Sequence, residues 1–127
     1  MSVWVDFSDI VNWPHQHLTG IQRVVVEVGL QMKAKNSEVN FFNYDPTSKK
    51  FFKIRPDTVE FARECKMSQI VTTSEEANFD SGDDIFLLGG TWVHSGFIAD
   101  LGALKKSKHF RVAQFIHDVT PIRVPHV

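Results

Sequence analysis

Cysteine is almost missing from this sequence: Cys65 stands alone, with no second thiol to close an internal disulfide. That points to a reducing cytoplasm. Within "DTVEFARECK", read as a helix, its thiol is expected to be packed or partly exposed rather than catalytic. An excess of either charge is missing too, since 14 basic against 15 acidic residues leave a net charge of −1. A nucleic-acid binder would show a basic stripe, so that class is disfavoured. Wholly apolar runs stop at three or four residues, far too short to span a membrane. "MSVWVDFSDI" lacks the basic start and apolar core of a signal peptide. Repeats and low-complexity segments are absent.

What is present fits one soluble globular domain. The chain has 127 residues, 43% apolar and 23% charged, enough for a hydrophobic core. "VWVDF" (3–7) reads as a short buried strand, followed by the polar, aromatic loop "SDIVNWPHQHL". A helix then places Ile21, Val24, Val25, Val28 and Met32 on one stripe. "VNFFNYD" (39–45) and "KKFFKI" (49–54) read as an antiparallel hairpin turning at Pro46-Thr47-Ser48. Asp57 is expected to cap a helix running to about residue 66, and 72–83 to form a polar surface loop. Glu75, Glu76, Asp83 and Asp84 are read as a solvated acidic surface. "DIFLLGG" (84–90) is the clearest buried strand. A helix over 95–107 follows, with Phe97, Ile98, Leu101 and Leu104 on one face, and then a strand over 111–116. Strands alternating with helices imply an α/β fold with a mostly parallel sheet.

The helix after the first strand has an unusual start. Thr19 is a good N-cap and Gln22 completes the capping-box spacing. Gly20 nevertheless occupies the first helical position, where Gly costs up to about 1 kcal/mol against Ala, and Arg23 opposes the macrodipole. In an open parallel sheet, ligands bind outside the carboxyl ends of the strands. Three loops leave such ends here. One carries Trp13, His15, His17 and Thr19-Gly20-Ile21-Gln22-Arg23; the second carries Gly89-Gly90-Thr91-Trp92-Val93-His94; the third carries His117-Asp118 and Pro121. On this reading Gly20 lets a ligand approach free backbone N–H groups, and Arg23 adds positive charge. Each residue also has a purely structural reading. Gly20 permits a tight turn, Arg23 pairs with Asp6 or Asp9, and Gly89-Gly90 allows close helix–strand packing. Trp13 and Trp92 cover the core, and His117-Asp118 caps a turn. His15 and His17 have the look of a metal pair, but solvated histidines are favoured.

These stretches resemble the N-terminal half of the retaining, GT-B-type glycosyltransferases of family 4, closest to mannosyltransferase-like members of surface-polysaccharide assembly. "TGIQRVV" (19–25) matches that group's helix start, and "FIHDVTPIR" (115–123) matches its strand ending in "HD" with a proline beyond. "DIFLLGGTWVHSGF" is similar to its middle strand and loop. The resemblance covers nearly the whole chain. It implies a Rossmann-like three-layer sandwich, the acceptor-side half of a GT-B architecture. It implies transfer of a sugar from a nucleotide-diphosphate sugar to a hydroxyl with retention, without a bound metal or other cofactor. Thr19, Gly20 and Arg23 would then lie near the donor phosphates or acceptor, with Gly90, Trp92 and His94 as further substrate contacts. His117 would line the reaction centre and Asp118 would orient it.

The family's second Rossmann-like domain, which binds most of the nucleotide sugar, has no room in 127 residues. The chain is therefore expected to be the N-terminal part of a longer transferase and inactive alone. Its implied partners are that C-terminal domain and a sugar or lipid-linked sugar acceptor, at the inner face of the membrane. Three other readings compete. A receiver-type module would need an aspartate where the middle strand ends in Gly-Gly, and a metal-dependent phosphohydrolase would need more His and Asp ligands. A stand-alone binding module that completes a transferase in trans shares every residue argument.

Overall fold

The computed structural model describes residues 2–13, 17–18, 20–36, 38–89 and 96–114. Strand β1, Val3–Asp6, is followed by the one-turn helix α1, Ser8–Val11, and the long helix α2, Gly20–Lys35. Strands β2, Val39–Asp45, and β3, Lys50–Ile54, come next. Two 3-10 helices, Pro56–Glu64 and Met67–Gln69, precede β4, Thr72–Glu76, and β5, Asp84–Leu87. Helix α3, Phe97–Lys108, and β6, Arg111–Gln114, complete the order.

The strands form one sheet in the order β4-β3-β2-β1-β5-β6. β1 lies between β2 and β5 and is parallel to both, with Val3 opposite Val39 on one side and Asp84 on the other. β6 is parallel to β5. β3 alone runs against the rest, antiparallel to β2 and β4. The anticipated hairpin is therefore present, on a mostly parallel α/β sheet. Its turn needs Lys49 in the left-handed region, at φ 58°.

Strand alternation sends successive side chains to opposite faces. Val5, Val39, Phe41 and Ile54 meet Val25, Val26 and Leu30 of α2 and Val59 and Ala62 of the longer 3-10 helix. On the other face Trp4, Phe42, Tyr44, Phe51, Ile85 and Leu87 meet Phe97 and Leu101 of α3. Phe42 is the hub of that second core, with edge-on ring contacts at 5.1 Å to Phe79 and 5.7 Å to Phe51. Helices cover both faces, giving the three-layer, Rossmann-like arrangement.

Several local expectations change. The buried stripe of α2 is Gln22, Val25, Val26, Gly29 and Leu30, turned by about one residue, roughly 100°, from the anticipated one. Gly29 accounts for the turn: a Cβ there would sit 3.2 Å from the rings of both Phe41 and Phe7, so glycine lets the helix approach the sheet closely at that point. Val24 is consequently left 38% exposed, and Ile98 of α3 is 50% exposed. The 72–83 segment is not all loop, because Thr72–Glu76 pairs with β3 as the edge strand. The segment after β3 is a 3-10 helix started by Pro56 rather than an α-helix capped by Asp57. Cys65 ends it in the left-handed region, partly exposed as expected.

Asp83 is the largest departure from the acidic-surface reading. It is buried, and its carboxylate accepts hydrogen bonds from Ser2 N, Trp4 Nε1 and Asp80 N. Burial alone would raise its pKa. The Ser2, Asp80 and Trp4 donors outweigh that effect and hold it below the usual carboxylate range. It thus pins the chain start and the 80–83 turn to the edge of β1. Among the described residues, no helix is long and apolar enough to cross a membrane.

Candidate functional site

In this strand order the chain leaves β1 toward β2 on one side, while β5 lies on the other. The strand order therefore reverses between β1 and β5, and the carboxyl ends of these two strands are where an open α/β sheet places its ligand crevice. Asp6, the last residue of β1, is buried at this point. Its Oδ1 accepts from the Ser8 backbone N at 2.9 Å and from Ser8 Oγ at 2.6 Å, a local turn of the kind short acidic side chains favour. Its Oδ2 is buried and takes no hydrogen bond among the described residues. Burial therefore dominates and raises the Asp6 pKa to about 7. The Ser8 hydrogen bonds oppose that rise, and the neighbouring Asp9 charge adds to it.

Ser8 does a second job. Phe7 N donates to Phe42 O, and two residues on, Tyr44 N donates to Ser8 Oγ at 2.8 Å. The hydroxyl thus continues the β1–β2 ladder past the point where β1 has become α1, while donating its own proton to Asp6. Asn12, at the end of α1, donates from Nδ2 to Ser8 O and to Asn43 Oδ1.

Asp9, Gln22 and Gly89 pack against one another at this point in the fold. Gln22 Nε2, buried on the inner face of α2, donates to Asp9 Oδ2 at 3.0 Å. Gly89 packs against the same carboxylate: a Cβ would lie 3.1 Å from Asp9 Oδ2 and from Val25 Cγ2. Glycine allows close packing there, which accords with the structural reading of that residue. Gly20 differs, since a Cβ on it would meet nothing within 4 Å. No packing demand explains glycine at the first position of α2. Arg23 does not pair with Asp6 or Asp9. Its Nε donates to the Leu18 carbonyl at 3.2 Å, and Gln22 takes the acidic partner instead.

Of the residues singled out from sequence, Gly20 and Arg23 lie at the start of α2, and Arg23 lines a small pocket with Leu18, Glu27, Arg63 and Cys65. Trp13 donates its indole N–H to His17 O, which closes the loop before α2. His15, Thr19, Gly90, Trp92, His94, His117, Asp118 and Pro121 lie outside the described residues. Sequence reasoning missed Ser8, Asp9 and Gln22 as site residues. One signal was available, for Ser8: "DFS", an aspartate two residues before a serine at a strand end.

The far side of the hairpin carries a second polar link. Tyr44 OH donates to Asp100 Oδ2 of α3 at 2.5 Å. Burial, the Asp100 hydrogen bond and the Asp100 and Asp45 charges together push the Tyr44 pKa up to about 12. Gly96, at φ 80°, turns the chain into α3, and a Cβ there would lie 2.9 Å from the Tyr44 hydroxyl. Among the described residues no group of three His, Cys, Asp or Glu side chains is arranged to hold a metal ion. Comparison with family models, with curated proteins and with solved structures gives no match.

Proposed function

We propose that this chain is the acceptor-side domain of a retaining sugar transferase that uses a nucleotide-diphosphate sugar. The observation that carries the reading is the start of α2 at the strand-order reversal. Gly20 leaves its backbone open there, and helix N-termini at such crevices bind anions. In the reaction, the bond from the anomeric carbon to the diphosphate oxygen breaks. The acceptor hydroxyl oxygen forms the new bond and passes its proton to the departing diphosphate. Negative charge grows on the departing diphosphate, where oriented N–H groups and the Arg23 guanidinium stabilise it. His117 hydrogen-bonds the sugar or acceptor hydroxyl, and Asp118 orients His117. Gly90, Trp92 and His94 complete the substrate contacts, Thr19 caps the helix, and a second nucleotide-binding domain closes the cleft over them.

The test is made on the full-length protein. His117→Ala is expected to cut sugar transfer from a labelled nucleotide sugar by about 100-fold or more, with an unchanged melting curve; wild-type transfer refutes the assignment. Arg23→Ala is expected to weaken nucleoside-diphosphate binding more than free-sugar binding. Equal losses argue against a phosphate role.

A further inference from the structure

The face of the sheet that carries α2 changes character toward the carboxyl end of β2. Val39 and Phe41 on that face are buried in the core, but the next two positions are Asn43 and Asp45. Phe52 of β3 lies directly opposite Asn43 and is only half-buried. The result is a cleft of about 440 Å³ whose lining includes Asn12, Asn43, Asp45, Phe52, Thr72 and Ser74. That volume falls within the range of about 300–1,000 Å³ typical of small-molecule sites.

The polar groups of the cleft are held in fixed order. Asn12 Nδ2 donates to Ser8 O and to Asn43 Oδ1, and Asn43 Nδ2 donates to Thr72 Oγ1. The chain orients each group and leaves capacity over. Asn12 Oδ1 accepts nothing among the described residues, and the Thr72 and Ser74 hydroxyls keep their own hydrogens. The Asp45 carboxylate, held by Thr47 N and Ser48 Oγ, retains further acceptor sites. No lysine, arginine or histidine lines the cleft, so it offers no positive charge to a phosphate or carboxylate. A half-buried aromatic face beside planar amides, hydroxyls and one carboxylate suits a neutral ring bearing several hydroxyls.

We infer that this cleft binds a neutral polyhydroxylated ring, a single pyranose unit, with Phe52 under its apolar face and Asn12, Asn43, Asp45 and Thr72 on its hydroxyls. The inference stands on the cleft's own chemistry and does not rest on the transfer reading. Its test measures binding, so it can fail while transfer succeeds, or the reverse.

The experiment is an amide-resolved NMR titration of the chain with methyl glucoside, methyl mannoside and methyl galactoside, and separately with inorganic phosphate. At least one pyranoside is expected to shift amides clustered at 12, 43–46 and 72–74, with millimolar affinity, while phosphate leaves them unmoved. Thr72→Val keeps volume and strand preference but removes the hydroxyl, and it is expected to weaken binding about 3- to 10-fold, the worth of one hydrogen bond. Phe52→Leu keeps the surface apolar without a ring and is expected to weaken binding by a similar factor. Overturning results are no clustered shifts with any pyranoside, shifts centred on Gly20 and Arg23 instead, or equal response to phosphate. Unchanged affinity in both variants, with their spectra still folded, also overturns it.

Discussion

Asp6 should make this protein less stable as the pH rises through neutrality, and one substitution should remove the effect. In the folded state its carboxyl titrates near 7, against an ordinary 3.8. Between those values the native state holds a proton that the unfolded chain has released. Stability is therefore full below about pH 4, falls as pH rises, and is lowest above 7. The gap corresponds to about 4 kcal/mol at most. Asp6→Asn cannot ionise. Its carbonyl can still accept from Ser8, and its NH2 replaces the unpartnered Oδ2, as the protonated acid's O–H does in the wild type. Against the wild type, the variant should differ by no more than about 1 kcal/mol at pH 4.5 and should be about 3 kcal/mol more stable at pH 8.5. Urea unfolding at several pH values, read as midpoints at constant slope, measures this difference directly. Titrating groups that do not interact with Asp6 cancel in the comparison, which leaves Asp6 and its neighbour Asp9. Parallel stability curves for the two proteins would refute the reasoning, because they would mean that Asp6 ionises as freely folded as unfolded.

Four further expectations concern Gly89, Gly20, Gln22 and Asp83. Gly89→Ala should cost about 1–3 kcal/mol by overpacking against Asp9 and Val25. Gly20→Ala should change stability by less than about 1 kcal/mol, in the stabilising direction; thermal melts of the pair separate the two roles. Gln22→Glu replaces the donor to Asp9 with a second carboxylate, so it should destabilise more at pH 8 than at pH 5, as a denaturation series would show. Asp83→Asn weakens three hydrogen bonds to a buried carboxylate and should cost about 2–3 kcal/mol at pH 7. The native pKa of Asp83 is lowered, so its stabilisation is present above the ordinary carboxylate range and fades as acid protonates it. The penalty of the variant should shrink in parallel.

The sheet was legible because its central strands are short apolar runs set off by polar loops and glycines. The hairpin was legible from two aromatic runs with a turn between them. β4 was not, since "TTSEE" has no apolar side chain and is held by its backbone pairing to β3. The orientation of α2 was hidden for a related reason. Valines lie on two neighbouring stripes, and the choice fell to Gly29, whose significance depends on Phe7 and Phe41 packing against it. Asp83 read as surface because its surrounding sequence is that of a surface loop, whereas donors from Ser2 and Trp4, distant in sequence, and from nearby Asp80 hold it in a buried position. At the site, the strand carboxyl ends were read from the order of elements, and most of the residues named there lie outside the described ones. The contact made by Gln22 was not legible, because nothing local links residue 22 to residue 9.

The placement of β1 has a consequence for how the chain acquires its structure during synthesis. The first strand made is the one in the middle, and its two neighbours lie at residues 39–42 and 84–86. β2, β3 and β4 follow one another as a meander and can pair as they emerge. β1 can dock on the first of these early, but its second edge stays open until residue 86 has left the ribosome. Closing that contact joins positions about 80 apart, an entropically slow step. Until then the inner faces of Trp4 and Val5 lack one wall of their core, so completion of the sheet depends on the later half of the chain.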